Sequence, residues 1–157
     1  MHFTTLVSLG LATLTTALPT NNPITLNPRA GGPAYVEIKP PCYLSYALPS
    51  DASSAMRPTV ATENQIYHWD QAMGDAAYSN ETTLWTQCTQ QCNGLTGCKA
   101  AFLAYNVPSE PIYSSPGGNP SVACRMFNVV LDESSFEPVT NGSYVQAMAA
   151  NIDGCAK

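Results

Sequence analysis

Positive charge is scarce in this chain. Its 157 residues include six lysines and arginines against eleven aspartates and glutamates, which gives a formal net charge of −5 at pH 7. The basic residues after position 29 are scattered: Lys39, Arg57, Lys99, Arg125 and Lys157. A nucleic-acid or heparin site requires clustered basic side chains that displace counterions. The composition therefore argues against nucleic acid or any other polyanion as a partner.

Long apolar runs are also missing. No segment approaches the roughly 20 apolar residues that a helix needs to span a bilayer, so we expect no membrane span. The first 17 residues combine a short apolar stretch at 6–12 with small residues at 15–17, where signal peptidase would cut. This pattern is typical of a secretory signal peptide. We therefore expect residues 1–17 to be removed and the protein to be secreted, as an extracellular or cell-wall protein.

The next segment, 18–32, contains three prolines, three asparagines and a Gly-Gly pair, without helical or strand periodicity. This composition is typical of a flexible leader, and a cut after Arg29 would make it a propeptide. The remaining residues, 33–157, are enough for one domain with one core and too few for two domains of ordinary size.

Catalytic motifs are equally scarce. After signal cleavage His68 is the one remaining histidine, and on a strand it would share a face with Asp70. A Ser-His-Asp mechanism also needs an activated serine and an oxyanion site. No G-x-S-x-G or comparable elbow is present, so we interpret His68 as a structural or surface residue.

The carboxylates show no spacing that marks the acid and base of a glycosidase. The candidates after the first strand include Asp70, Asp75, Asp132, Glu133 and Glu137. The adjacent pair Asp132-Glu133 is more simply an exposed turn that closes a strand. We expect no zinc or copper site. The six cysteine thiols of the chain are expected to form disulfides, and His68 is then the one imidazole available as a metal ligand. Scattered carboxylates leave calcium as a minor alternative, and we expect no cofactor.

Two N-x-S/T sequons are present, at Asn80-Glu81-Thr82 and Asn141-Gly142-Ser143. Asn80 and Asn141 are therefore candidate glycosylation sites, and each would be exposed if used. Such triplets arise often by chance, so they support secretion only together with the signal peptide.

What the chain does contain is an even number of cysteines, all beyond the predicted cleavage site: Cys42, Cys88, Cys92, Cys98, Cys124 and Cys155. In an oxidising compartment three disulfides are expected. Six cysteines allow fifteen pairings, so the count alone does not give the connectivity.

The segment 81–93 predicts an amphipathic helix. Its apolar positions Leu84, Trp85, Cys88 and Cys92 recur at helical spacing, while threonines and glutamines fill the rest. Asn80 can cap the start of the helix, and Asn93-Gly94 predicts a left-handed stop. We expect Trp85, on the apolar face, to belong to the core.

Helix geometry bears on the cysteine pairs. A bond between Cys88 and Cys92 is disfavoured, because residues one turn apart have roughly parallel Cβ vectors. Cys92 can reach Cys98 through the turn that follows the helix. Cys88 could bridge to Cys124 if strands pair beneath the helix. These possibilities remain open on geometry alone.

Five segments read as strands because β-branched and aromatic residues are bounded by breakers. They are residues 34–39, 65–69, 99–105, 125–131 and 144–152. Together with the helix they predict an α+β domain.

The cysteine spacing carries a family resemblance. The pattern along the chain is Cys88-x3-Cys92-x5-Cys98, then Ala101-Phe102, a variable loop, Cys124-x2-Phe127 and a late Cys155. This pattern resembles the PAN/apple domain over roughly residues 42–155. The short leader with this arrangement also resembles small secreted proteins of filamentous fungi.

The resemblance implies both a connectivity and a fold. The implied disulfides are Cys42 with Cys155, Cys88 with Cys124 and Cys92 with Cys98. The implied fold is an antiparallel sheet of about five strands that curves around one helix. The implied ligands are proteins or carbohydrates, contacted by sheet edges and loops.

A long segment at 106–123 is rich in proline and glycine and contains Tyr113. Long exposed loops are either functional or bland insertions, so Tyr113 is a candidate ligand contact. Aromatic faces commonly anchor proteins and sugars, so Tyr67, Trp69 and Tyr105 are further aromatic residues that could contact a ligand.

These observations favour a secreted, non-enzymatic binding module that recognises an extracellular protein or a glycan. A structural or host-interaction protein of the cell surface is the alternative. A small hydrolase is the least favoured, because no catalytic constellation is visible. The oligomeric state does not follow from the sequence.

Overall fold

The computed structural model describes residues 32–48, 55–111 and 115–155. The predicted signal peptide, nearly all of the predicted leader including Arg29, and the candidate contact Tyr113 lie outside these ranges.

The described residues form an α+β fold with a five-stranded antiparallel sheet. The strands of this main sheet are β1 (Tyr43–Tyr46), β3 (Gln65–Ala72), β4 (Ala100–Pro108), β5 (Pro120–Phe127) and β7 (Val145–Asp153). Their order across the sheet is β1-β7-β4-β5-β3, so β1 and β3 are the edges. A small sheet pairs β2 (Met56–Pro58) with β6 (Phe136–Pro138). The helices are α1 (Met73–Ala76) and α2 (Glu81–Gly94), with single 3-10 turns at Thr62–Asn64 and Glu133–Ser135.

The α2 helix confirms the predicted helix and its cap. The Asn80 side chain accepts a hydrogen bond from the Thr83 amide at 2.8 Å, which satisfies one of the free N–H groups of the first turn. Trp85 is buried, as predicted. The division into an apolar and a polar face was wrong in part, because Thr89 and Gln91 are also buried. The helix is covered on more than one side, which single-helix periodicity cannot reveal.

The predicted left-handed stop at Gly94 is wrong. Gly94 is the last helical residue and Leu95 continues in an extended conformation, while the positive φ of the turn belongs to Gly97. Glycine is needed at position 94 for space, because a Cβ there would overlap the carbonyl oxygen of Ala34.

Three of the five predicted strands are confirmed in place, as β3, β4 and β7. The strand predicted at 125–131 ends at Phe127 and begins at Pro120, so Cys124 lies inside it. Residues 34–39 form no strand. They lie along α2, where the Val36 amide donates to the Gln90 carbonyl at 3.0 Å. The sequence prediction missed β1, β2 and β6.

The main sheet is covered on both faces, so β4 and β5 read as nearly continuous apolar runs. The inner face packs against α2 through residues that include Leu103, Val122 and Met126. The outer face packs against the small sheet through Phe102 and Phe127. Residues of β3 alternate in the same way, which places Tyr67 and Trp69 on the inner face.

Three disulfides tie these layers together. They join Cys42 to Cys155, Cys88 to Cys124 and Cys92 to Cys98, the pairs that the PAN/apple resemblance implies. The second links α2 to β5 across the inner core, and the first joins the two ends of the described domain. Among the described residues, no helix is both long enough and apolar enough to cross a membrane. The disulfides fit an extracellular protein.

Candidate functional site

A cleft opens on the inner side of the sheet, between α2 and the edge strand β3. Its lining consists of three aromatic and three glutamine side chains: Tyr35, Tyr67, Trp69, Gln71, Gln87 and Gln91. Alternate residues of β3 supply Tyr67, Trp69 and Gln71, because side chains two apart on a strand share a face. Gln87 and Gln91 are one turn apart on α2 and therefore lie side by side.

Tyr35 reaches this cleft through the segment that precedes Cys42. The segment is held against α2 by the bond from Val36 to Gln90, and by the Asn93 amide, which donates to the Val36 and Glu37 carbonyls at 3.2 and 3.3 Å. The close approach of Ala34 to Gly94 fixes the neighbouring residue. The failed strand prediction therefore has a structural reason, since the polar backbone groups of this segment bond to the helix end.

Gln91 is the most unusual member of the cleft. Its side chain is buried, with 2% of the residue exposed, and its Oε1 accepts no hydrogen bond from the described residues. A buried acceptor without a donor costs about 1–3 kcal/mol. The cleft leaves about 20 Å³ of space, and roughly 10–15 Å³ is enough for one water molecule. One hydroxyl-sized donor fits beside Gln91, whereas a larger group has to stay at the mouth.

The chemistry of the lining is uncharged. It contains no carboxylate, guanidinium, ammonium or imidazole group, and offers amides that both donate and accept together with aromatic faces. Such a surface can hold a neutral polyhydroxylated molecule, whose C–H faces contact the rings while its hydroxyls bond to the amides.

The outer face of β3 carries a charged network instead. The Arg125 guanidinium is almost fully buried and contacts Asp70 through Nη1 at 2.8 Å and Glu110 through Nε at 3.1 Å. His68 lies opposite Arg125 in the sheet register, and its Nε2 is 3.2 Å from the other oxygen of Glu110. The Gln65 amide also donates to Glu110, at 3.1 Å.

His68 and Asp70 do share one face of the strand, as the alternation predicts, but they do not contact each other. The two oxygens of Asp70 are taken by Arg125 and by the Glu110 amide at 3.0 Å. His68 contacts Gln65 and Glu110. Asp70 therefore neither orients nor polarises the imidazole, as the acid of a catalytic triad would.

A cavity of about 340 Å³ lies beside Asp70 and Glu110, next to the segment that connects β4 to β5. The loop predicted at 106–123 is shorter than expected, because β4 runs to Pro108 and β5 begins at Pro120. Tyr113 belongs to this connection and stays a sequence-based candidate, since it lies outside the described residues.

The other carboxylates have local roles or stand apart. Asp132 caps the 3-10 turn at Glu133–Ser135, an exposed turn as predicted, and hydrogen bonds from the Ser134 and Ser135 hydroxyls lower the pKa of Asp132.

Burial raises the pKa of the Tyr105 phenol, with a smaller contribution from the charge of Glu81. Within the described ranges, no three histidine, cysteine or acidic side chains are grouped so that they could hold a metal ion.

Both sequon asparagines are exposed. Asn80 uses its Oδ1 to cap α2, and Asn141 uses its Oδ1 to accept hydrogen bonds from the Ser143 amide at 3.0 Å and from the Ser143 hydroxyl at 2.5 Å. A glycan would be attached at Nδ2, so the observed bonds leave the attachment atom available at both sites.

Sequence reasoning found Tyr67 and Trp69 but missed the glutamines and Tyr35. The available signals were the alternation of Tyr67, Trp69 and Gln71, and the spacing of four between Gln87 and Gln91. Neither signal indicates that the edge strand β3 lies against the side of α2 that carries Gln87 and Gln91. Comparison of the chain with protein-family models, curated proteins and solved structures found no match.

Proposed function

We propose that this protein is a secreted, non-enzymatic binding module that recognises a neutral carbohydrate through the cleft between α2 and β3. The observation that carries the proposal is the buried Gln91 Oε1, an acceptor without a donor among the described residues, at the base of an aromatic and amide surface. We further propose that the fold is of the PAN/apple type, supported by the cysteine spacing and by the three disulfides.

The size of the cleft favours a particular mode of binding. Its 20 Å³ can admit one hydroxyl group but no sugar ring. The ring therefore lies at the mouth, against Tyr35, Tyr67 and Trp69, and one hydroxyl donates to Gln91. This arrangement gives Gln91 Oε1 a donor that the described residues do not supply, and it contacts the aromatic faces without deep burial of the ligand.

The charge of the site favours a neutral ligand over an acidic one. The cleft has no cation to pair with a uronate or sulfate, and the chain carries a net charge of −5. An acidic polysaccharide would be repelled at low ionic strength.

A glycan array and a polysaccharide pull-down with the oxidised protein test the proposal. We expect binding to a neutral oligosaccharide and a loss of about threefold to tenfold in Gln91→Leu, the size of one neutral hydrogen bond. Gln91→Leu should not lower the free energy of unfolding, because it removes a buried acceptor that has no donor among the described residues and keeps the side-chain volume. Gln90→Leu is the matched control, since Gln90 precedes Gln91 and does not line the cleft.

Two outcomes would contradict this function. If the Gln91→Leu and Gln90→Leu variants bind the glycan with equal affinity, the cleft is not the binding site. If no neutral glycan binds, a protein partner is favoured instead.

A further inference from the structure

A further cavity, of about 210 Å³ and distinct from the one beside Asp70, lies on the outer face of the main sheet, between the small sheet and the start of β3. Its apolar wall includes Val60, Phe127 and Tyr144, and its polar end includes Arg125 and Glu110. It lies on the opposite face of the sheet from the cleft proposed to bind carbohydrate.

Arg125 is the distinctive group of this cavity, because it is 94% buried. Its Nη1 donates to Asp70 and to the carbonyls of Trp69 and Cys124, at 2.8, 3.3 and 3.2 Å. Its Nε contacts Glu110. These contacts account for two of the three guanidinium nitrogens. Within the described part of the chain Nη2 makes no hydrogen bond, which leaves it as the donor available to a group in the cavity.

The charges around the cavity decide what kind of acceptor fits. Two guanidinium groups, of Arg125 and Arg57, are paired with three carboxylates: Asp70, Glu110 and Glu137. These guanidinium and carboxylate groups together carry a net charge of −1, so an added anion would meet repulsion as well as the cost of desolvation. A neutral carbonyl oxygen accepts a hydrogen bond from Nη2 without adding charge.

The shape of the wall is set by an unusual backbone. Tyr144 has φ 57°, a left-handed conformation that is unfavourable for a residue other than glycine. The ring of Tyr144 packs at a tilt against Phe102, with centroids 6.5 Å apart. The ring is therefore held in position by the core beneath it, and the apolar wall exists before any ligand arrives.

We propose that this cavity binds a small neutral molecule, or a neutral terminal group, whose carbonyl oxygen accepts a hydrogen bond from Arg125 Nη2. The apolar body of the ligand contacts Val60, Phe127 and Tyr144. The volume of 210 Å³ is below the roughly 300–1,000 Å³ of ordinary ligand pockets, which limits the ligand to about the size of one substituted ring.

Nuclear magnetic resonance titration of the oxidised protein with acetophenone and with benzoate tests this proposal. The two probes have similar apolar bodies, and only benzoate is charged. We expect acetophenone to shift the Val60 and Thr62 amides and the side-chain ¹⁵N signals of Arg125, with benzoate at least tenfold weaker. Arg125 itself stays unchanged in the experiment, because its removal would leave two carboxylates without their partner.

Thr62→Trp supplies the site-specific variant, since Thr62 is exposed and lines the cavity. We expect the acetophenone shifts to disappear in Thr62→Trp and to persist in Thr140→Trp, an exposed control outside the cavity. Benzoate binding as tightly as acetophenone would overturn the neutral-carbonyl assignment. Acetophenone shifts that persist in Thr62→Trp would also overturn the proposal. The absence of any shift at about 10 mM probe would do the same, because that concentration detects millimolar dissociation constants.

Discussion

Gly94, the last residue of α2, lies directly against the backbone of Ala34. A Cβ at position 94 would overlap the Ala34 carbonyl oxygen, and the methyl group of Val36 is also close. This contact fixes the segment that carries Tyr35 into the cleft, so the end of the helix and the proposed binding surface are coupled.

Gly94→Ala should therefore displace the segment and weaken glycan binding. We expect a loss of about 1 kcal/mol or more in the free energy of unfolding, as for other overpacked sites, measured by denaturant titration of the oxidised protein. Gly74→Ala is the control, because nothing lies within 4 Å of a Cβ at Gly74 and that residue is also helical. It should be neutral or stabilising by up to about 1 kcal/mol. Equal effects of the two substitutions would show that the contact with Ala34 is unimportant.

Asp70→Asn should destabilise the protein because it removes a carboxylate from a buried ion pair. Both side chains are nearly inaccessible, 7% exposed for Arg125 and 5% for Asp70. We expect a loss of about 3 kcal/mol, the low end of the range for a broken buried pair, because Glu110 still contacts the guanidinium.

Glu137→Gln is the matched control for this substitution. The Arg57 and Glu137 side chains are 52% and 43% exposed, so solvent screens their ion pair and its loss should have little effect on stability. Urea unfolding of both variants gives the comparison. A similar loss in the free energy of unfolding in Asp70→Asn and Glu137→Gln would contradict the importance of burial.

Substitution at Asn80 should separate glycosylation from helix capping. Asn80→Asp keeps an oxygen that can accept from the Thr83 amide and removes the glycan acceptor, whereas Asn80→Ala removes both. We expect Asn80→Ala to cost about 1 kcal/mol and Asn80→Asp almost nothing, measured on protein from a non-glycosylating host. A mobility shift lost in both variants from a secreting eukaryotic host would show that the sequon is used.

Ser134→Ala should raise the pKa of Asp132 toward its ordinary value of 3.8, because the Ser134 hydroxyl bond is the largest cause of the lowered pKa. A lowered native pKa stabilises the fold above the unfolded pKa, and this contribution is lost as the pH falls through the native value. The variant should therefore show a weaker loss of stability below about pH 4 than the parent. A carboxyl ¹³C titration measures the pKa directly, and an unchanged midpoint would contradict the assignment.

The helix, its Asn80 cap and three strands could be predicted because each depends on residues close in the chain. The predicted strand at 125–131 is displaced from β5, because Pro120 to Ala123 also pair with β4 and β3. The strands β1, β2 and β6 are three or four residues long and leave too short a pattern to recognise.

The candidate site was less predictable than the fold. The alternation placed His68 and Asp70 on one face, but Glu110 and Arg125 join them only through the sheet register and the connection after β4. Gln91 looked like a surface residue on the polar side of its helix, and its burial follows from the edge strand that packs there.

Residues that are neighbours in the chain were enough to establish the sparse charge, the six cysteines, the α2 helix and the alternation of β3, because composition and local periodicity do not depend on distant contacts. Three features became visible only after folding: which glutamines are buried, why position 94 must be glycine, and which two carboxylates pair with the Arg125 guanidinium. Each of these features requires groups far apart in the chain to meet, and their meeting depends on the packing of the sheet against the helix and the small sheet.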